Sequence, residues 1–298
     1  MVDESRAGGA RAMDQNQMTQ WRVGILHHPR KPQSQTLAEE MAAVIHAHGG
    51  EAWLASAWDE ASVLSHLPGA NLMITLGGDG TVLRAARMGA RYGVPILGVK
   101  MGRLSFLAEI LPDDWRDPLV RILDGQFWLE EHMMLDVTVH HRTEERPHQH
   151  HYEALNDVVV SRGRLARIIR VPTYVDGVYL TTYAADGVIV ATATGSTGYA
   201  LACGGPILPP ELRNILLIPI APHLSLDRPI VLAQGATVKL DVESDHETIL
   251  TIDGQFRVDL SNRDRVEVTS SSHVARFVRL RDRNYFYKEL MDRLRWQL

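Results

Sequence analysis

The chain has 298 residues, 31 Lys+Arg against 36 Asp+Glu for a formal net charge of −5, and a single cysteine, Cys203. That length is twice the usual ~150-residue domain and predicts two domains, while the acidic balance excludes generic binding to nucleic acid or to an anionic membrane surface. One cysteine excludes an intramolecular disulfide, and the longest apolar run, Ile215 to Ala221, falls far short of the ~20 residues of a spanning helix, so a soluble cytoplasmic protein is expected. Residues 1–20 are polar and Gly/Ala-rich and read as a disordered leader. From Trp21 the pattern predicts a strand at Val23–Leu26, a helix over Gln35–His48 with Leu37, Met41, Val44 and Ile45 on one stripe, a strand at Ala52–Leu54 and a helix at Ala61–Leu67. A strand over Asn71–Leu76, a helix from about Thr81 to Arg91 and a strand at Pro95–Val99 follow. Strand and helix alternating at this spacing make a parallel α/β sheet.

After a helix near Asp113–Leu123 the period changes to two. Runs at Leu135–Val139, Val158–Val160, Ile168–Val175, Val188–Val190, Val238–Val242, Thr248–Ile252 and Val266–Val268 predict a β-rich second domain. The segment from about Asn284 to Leu298, with Tyr285, Leu290, Leu294 and Trp296 among charges, reads as a terminal helix returning to the first domain. The expected map is therefore a leader over 1–20, an α/β domain over 21–112, a β-rich domain over 113–280 and a returning helix over 281–298.

In the first domain the informative stretch is Leu76-Gly-Gly-Asp79-Gly80-Thr81. An apolar strand delivers three glycines to a helix start, where a ligand can approach the backbone and the helix's first N–H groups favour an anion. That suits phosphate. An aspartate inside such a cradle opposes an anion unless it accepts a proton or holds Mg²⁺; the alternative is a plain turn with Asp79 as N-cap. A P-loop is excluded because Val99 stands where the lysine should follow Gly98, and the third glycine of a dinucleotide fingerprint is missing after Gly80.

The second informative stretch runs from Ala185 to Pro206, where a strand leads into small and hydroxyl-bearing residues: Thr192, Thr194, Ser196, Thr197 and Tyr199. Small residues admit a flat ligand, hydroxyls and amides bond base and ribose edges, and a tyrosine stacks; a tight packing junction is the alternative. Thr194 occupies the first glycine position of a Gly-x-Ser-x-Gly elbow, which argues against Ser196 as a hydrolase nucleophile. His140, His141, His148, His150 and His151 crowd a polar stretch with Arg142, Glu144, Glu145 and Arg146. Their spacing matches no closed zinc site and reads as a hairpin loop. Cys203, with no cationic neighbour in sequence, reads as a packing residue.

Taken together, Gly77-Gly-Asp-Gly-Thr-Val-Leu83, Asn156-Asp157, Ala185-Asp-Gly187, Thr194-Gly-Ser-Thr-Gly-Tyr199 with Gly204-Gly-Pro206, and Ile252-Asp-Gly-Gln255 resemble, in kind and order, the motifs of NAD kinases. The resemblance spans roughly Val23 to Tyr287. A lone Gly-Gly-Asp-Gly is shared with diacylglycerol and sphingosine kinases and phosphofructokinases, and a lipid or sugar kinase, or a silent NAD-binding module, are the rival functions. The resemblance implies a diacylglycerol-kinase/phosphofructokinase-like α/β domain followed by a β-rich NAD-binding one. It implies Mg²⁺-dependent phosphoryl transfer from ATP or polyphosphate to the 2′-hydroxyl of the adenosine ribose of NAD, with Mg²⁺ or another divalent cation and with no metal ligand identified.

By the same resemblance, Asp79 is the general base, and Asp79, Gly80 and Arg84 line the reacting ribose and phosphate. Asn156 and Asp157 contact the adenosine part, and Arg167 and Gln255 are further substrate contacts. Asp186 reaches the nicotinamide side, often across a subunit interface, which implies a homodimer or homotetramer. Thr197, Gly198, Tyr199, Ala200, Leu201 and Ala202 form the adenine and ribose wall. The chain departs from the family in three places. Ser105 in Arg103-Leu-Ser-Phe-Leu107 replaces a common glycine, Gly198 a common alanine, and Ala184 an arginine of some bacterial members.

Overall fold

The computed structural model describes residues 20–102, 105–142, 148–163, 167–223, 226–288 and 290. It divides the chain into two units, Met1–Glu130 with Arg276–Leu298, and Glu131–Ala275. The leader over 1–19, Arg103 and Leu104, Glu144 to Arg146, and Leu294 and Trp296 lie outside the described residues.

The first unit opens with β1 (Arg22–His27), α1 (Pro32–Ala47), β2 (Glu51–Ser56), α2 (Glu60–His66), β3 (Leu72–Gly77), α3 (Asp79–Ala90), β4 (Ile96–Lys100) and α4 (Arg116–Leu123). The strands pair in parallel in the order β2-β1-β3-β4. Every residue of β3 is buried, as expected of a strand covered on both faces. Pro32 opens α1, where a missing N–H costs nothing, and Gly49, at φ 77, ends it in the left-handed conformation that a side chain resists. Leu37, Met41 and Ile45 on the buried stripe of α1 pack with Val23, Ile25, Ile74 and Leu97. α3 begins two places before the predicted Thr81, so Asp79 and Gly80 belong to its first turn.

Residues from Arg276 onward return to this unit. Their anchor is ionic: Arg279 bonds Glu130 at 2.7 Å and Glu109 at 3.4 Å, all three being almost completely buried. The Tyr285 hydroxyl donates to Glu130 at 2.9 Å. Of the predicted terminal helix, 285–288 are helical.

The second unit begins inside β5 (Trp128–His141) and continues with β6 (His148–Ala154), β7 (Asp157–Arg162), β8 (Ile169–Val175), β9 (Val178–Ala185) and β10 (Gly187–Thr192). A 3-10 turn at Thr194–Thr197 and a single helical turn, α5 (Tyr199–Ala202), follow. The rest is β11 (Ile215–Ile220), β12 (Ile230–Leu232), β13 (Val238–Asp241), β14 (Thr248–Ile252), β15 (Phe256–Leu260) and β16 (Arg265–Arg279), which leaves the unit between Ala275 and Arg276. One sheet runs β12-β11-β10-β7-β14-β15; in the other β16-β13-β8-β9 are consecutive, and β5 pairs with β16 and β6. Alternation sorts the faces. Val158, Val160, Val188 and Val190 join the core between the sheets, while Val159, Ile189 and Ala191 point to the opposite face and pack on Ala200. The units thus meet in sequence within β5 and within β16, whereas the change of period lies near 112 and 280: a strand that runs through both units carries no break in pattern at the boundary.

Candidate active site

In the first unit the chemistry gathers at the carboxyl ends of the parallel strands. β1 lies between β2 and β3, so the chain's winding reverses there, which is where open α/β sheets bind ligands. The turn after β3 occupies this place. Gly77 must be glycine, since a Cβ there would fall 2.1 Å from Thr81 Oγ1, whereas a Cβ at Gly78 or Gly80 would meet nothing within 4 Å. The space beside those two glycines is open, as the approach of a ligand requires.

Asp79 does not cap the helix. Gly78 is the N-cap residue, and α3 has no side-chain cap. The Asp79 carboxylate instead turns to the loop after β4, where Oδ1 accepts from the Ser105 hydroxyl and, at 3.4 Å, from Leu107 N–H, and Oδ2 accepts from Phe106 N–H at 3.1 Å. Ser105 Oγ in turn accepts from Ala108 N–H at 2.9 Å. Three donors orient a half-buried carboxylate whose Oδ2 retains a lone pair for a proton. Ser105 stood out in the sequence only as a departure from a glycine; its bond to an acid 26 positions away in the chain had no local signal.

Arg84 lies with its guanidinium 4.8 Å from the centre of the Trp58 ring, and the centre of the His28 ring lies 4.6 Å from that of the same tryptophan, edge-on. Burial, and then the neighbouring Arg87, hold Arg84 below its ordinary pKa. Arg87 itself forms a two-pronged pair with Glu60 at 2.9 and 3.0 Å.

The second unit brings four of the quoted motifs together. Asp253, held at φ 50 in the turn after β14, accepts from the N–H groups of Leu155 at 2.9 Å, Asn156 at 2.7 Å and Asp157 at 3.1 Å. The aspartate of Ile252-Asp-Gly-Gln255 therefore fixes the backbone of Asn156-Asp157, a role with no local signal in the sequence. Gln255 closes the same turn, with its N–H on Ile252 O. Asn156 Oδ1 is buried and has no hydrogen-bond partner among the described residues. Asp157 is pushed up from 3.8 to about 7, first by burial and then by the charge of Asp253.

A Cβ on Gly198 would lie 3.2 Å from Gly195 O and 3.7 Å from both Asn156 Nδ2 and Asp157 Oδ2, so the start of the wall adjoins that pair. Tyr199 is exposed beside it; burial raises its phenol, followed by the charges of Cys203, Asp186 and Asp157. Asp186 pairs with Arg162 at 2.9 Å. Arg162 is a basic residue that no sequence motif had singled out.

Two expectations need correction. Ala200 is not part of an open wall but fully buried against Val159 and Ile189, because one turn of helix directs consecutive residues to different sides and exposes Tyr199 and Ala202 instead. The hydroxyls of Thr192, Thr194, Ser196 and Thr197 are not arrayed for a ligand: they bond Leu155 O, His132 Nδ1, Leu208 and Thr194 O within the fold. Arg167 is exposed, with a guanidinium nitrogen 3.1 Å from His246 Nε2. Thr197 and Leu201 are half-buried, and Cys203 packs against the Ala200 cluster.

The family model of the ATP-NAD kinase N-terminal domain matches residues 23–127, and that of the ATP-NAD kinase C-terminal domain matches residues 155–280. A NAD kinase of Dehalococcoides mccartyi strain CBDB1 is 40% identical over 278 residues, covering 92% of this chain and 96% of that protein. One from Chloroflexus aurantiacus is 42% identical over 274 residues, covering 92% and 98%. Among solved structures, a yeast NADH kinase complexed with NADH shares the fold at TM-score 0.81 and 23% identity, over 92% of this chain and 87% of that one. An NAD kinase from Archaeoglobus fulgidus in complex with ATP matches at TM-score 0.74 and 27% identity, over 92% and 98%. The two domain models in their order and relatives at this identity over nearly the whole chain establish that it belongs to the NAD kinase family.

Proposed function

We propose that this protein transfers the terminal phosphoryl group of ATP to the 2′-hydroxyl of the adenosine ribose of NAD, giving NADP and ADP. The observation that carries the reading is Asp79, a carboxylate aimed away from its own helix and oriented by Ser105, Phe106 and Leu107. As the ribose oxygen bonds to phosphorus and the bond to the ADP oxygen breaks, Asp79 accepts the hydroxyl proton. The N-terminal turn of α3 and Arg84 are suited to the phosphates. Asn156, Asp157 and Tyr199 are suited to the adenosine: the orphaned Asn156 carbonyl fits an amine donor, Asp157 a hydroxyl or amine, and the exposed phenol ring a base face.

Mg²⁺ supplies charge neutralisation on the transferring phosphate when bound. Near Asp79 the described residues form no cage of three or more acidic or histidine ligands, which suits an ion carried mainly by the nucleotide's own phosphates and waters. Polyphosphate as an alternative donor, a cytoplasmic location, and a homodimer or homotetramer belong to the same proposal. No helix among the described residues is long and apolar enough to cross a membrane.

The test is to incubate the purified chain with Mg²⁺ while crossing NAD and NADH with ATP and polyphosphate, and to identify the product by the position of its new phosphate. Formation of NADP from NAD and ATP is expected. Absence of 2′-phosphorylation with every pair would overturn the proposal.

A further inference from the structure

The five histidines around the β5–β6 turn do not form one group. Antiparallel register places His141 opposite His148 and His140 opposite Gln149, while Val139 faces His150 and Thr138 faces His151. Side chains two apart share a face of a strand, so His141, His148 and His150 lie on one side of the hairpin and His140 and His151 on the other. On the second side, His140 Nδ1 meets Gln149 and His151 Nδ1 meets Thr138, each within ordinary hydrogen-bond length. On the first side the rings converge, with centroids 4.6 Å apart for His141 and His148, 5.1 Å for His148 and His150, and 5.7 Å for His141 and His150. One ring nitrogen from each lies within 4.8 Å of the other two.

His141 is also held as a metal-bound histidine is held. Its Nδ1 lies 2.8 Å from Asp264 Oδ2, and Asp264 is itself buried and fixed by the N–H groups of Arg142 at 3.0 Å and Ser261 at 2.9 Å. A carboxylate on one imidazole nitrogen sets the tautomer, aims the other nitrogen and raises its basicity as a ligand. For His141 that other nitrogen is Nε2. Three imidazoles suit Zn²⁺, Cu²⁺ or Ni²⁺ and not the hard, oxygen-seeking Mg²⁺. Tetrahedral zinc with Zn–N of about 2.0–2.1 Å brings ligand nitrogens to roughly 3.4 Å of each other, so the present spacing has to close by about 1.4 Å. Rotation of the exposed His148 and His150 side chains supplies that movement, while His141 remains anchored.

We propose that His141, His148 and His150, with Asp264 orienting His141, form a binding site for one late first-row divalent cation, Zn²⁺ in the first instance. The site links the paired strands β5 and β6 and leaves a fourth position for water or an external ligand. This follows from residues outside the cluster proposed for catalysis and stands or falls independently of the kinase reading.

Equilibrium dialysis of the full chain, purified without a histidine tag and stripped with chelator, against Zn²⁺ tests it. One tightly held equivalent per chain is expected for the wild type, no equivalent held from Mg²⁺, and tetrahedral ligand-field absorption when Co²⁺ replaces Zn²⁺. His148→Ala/His150→Ala changes only exposed side chains, so it folds, and it is expected to weaken Zn²⁺ binding at least tenfold. His140→Ala/His151→Ala, on the other face, is expected to retain the full equivalent. A wild type that holds no zinc, or a His148→Ala/His150→Ala variant that holds it as tightly as the wild type, would overturn the proposal.

Discussion

Asp157 is the residue whose environment makes the sharpest demand. Its acid is shifted from 3.8 to about 7 by burial and by Asp253, so the folded protein holds this proton more tightly than the unfolded chain does. The sign follows from that: the group favours folding at low pH, and its contribution is lost as pH rises from about 4 through about 7. A shift of about three units corresponds to at most about 4 kcal/mol at alkaline pH. Asp157→Asn removes the penalty, so its melting temperature is expected to exceed that of the wild type clearly at pH 8 and much less at pH 5, while its affinity for NAD falls. Equal melting shifts at both pH values would show that Asp157 is not held near neutrality. Ser105 supports the proposed base through one charge-assisted hydrogen bond, an interaction of about 1.5–3 kcal/mol. Ser105→Gly is expected to lower kcat on the order of tenfold with the KM for NAD little changed. A proportional rise in KM with unchanged kcat would place Ser105 in binding instead.

At the scale of elements, the segment from Thr194 to Ala202 separates two roles that its composition had merged. Gly195 is a packing residue, since a Cβ there would fall 2.1 Å from Asn156 O, whereas Gly198 looks toward the side chains of Asn156 and Asp157. Gly198→Leu, whose Cβ would also press on Gly195 O at 3.2 Å, is therefore expected to raise the KM for NAD by the equivalent of about 1–3 kcal/mol with a smaller loss of melting temperature than Gly195→Ala. Gly195→Ala is expected to destabilise the fold itself, and thermal melts of the two variants beside NAD titrations separate the cases. The same contrast shows what was legible in advance. Parallel strands β1 to β4 and their helices followed from apolar periodicity, because buried strands and striped helices carry their environment in their residues. β6 did not: with His148, His150 and His151 it has little apolar alternation and is a strand through its pairing with β5. β11 contains Pro219, which sits opposite Val188 of β10 but beyond the Ile215–Leu217 stretch that pairs with β12. The motifs located Asp79, Asn156, Asp157 and Gly198, but the partners that hold them, Ser105 and Asp253, act across the fold and leave no local pattern.

For the molecule as a whole, the chain's return to its first unit rests on a buried ionic cluster and not on apolar packing alone. Arg279 compensates Glu109 and Glu130 where water is excluded. Arg279→Ala takes the cation from Glu130, whereas Glu109 keeps Arg281 at 3.0 Å, and is expected to cost about 3–5 kcal/mol, read as a shifted midpoint in urea unfolding; a cost below about 1 kcal/mol would show the cluster to be incidental. β9 ends the β16-β13-β8-β9 run of its sheet with Val178, Tyr179 and Leu180 exposed, and Asp186 follows it directly. An apolar edge of this kind favours pairing with a second copy. Sedimentation equilibrium is expected to give a dimer or tetramer whose activity per chain falls on dilution, and a fully active monomer would contradict that assembly. Phosphoryl transfer to NAD with Asp79 as the base is tested by single-turnover formation of NADP by wild type and Asp79→Asn at saturating ATP and NAD. A rate ~10²–10⁴-fold lower is expected for the variant, with melting and NAD binding preserved; a variant that forms NADP at the wild-type rate would rule out Asp79 as the base.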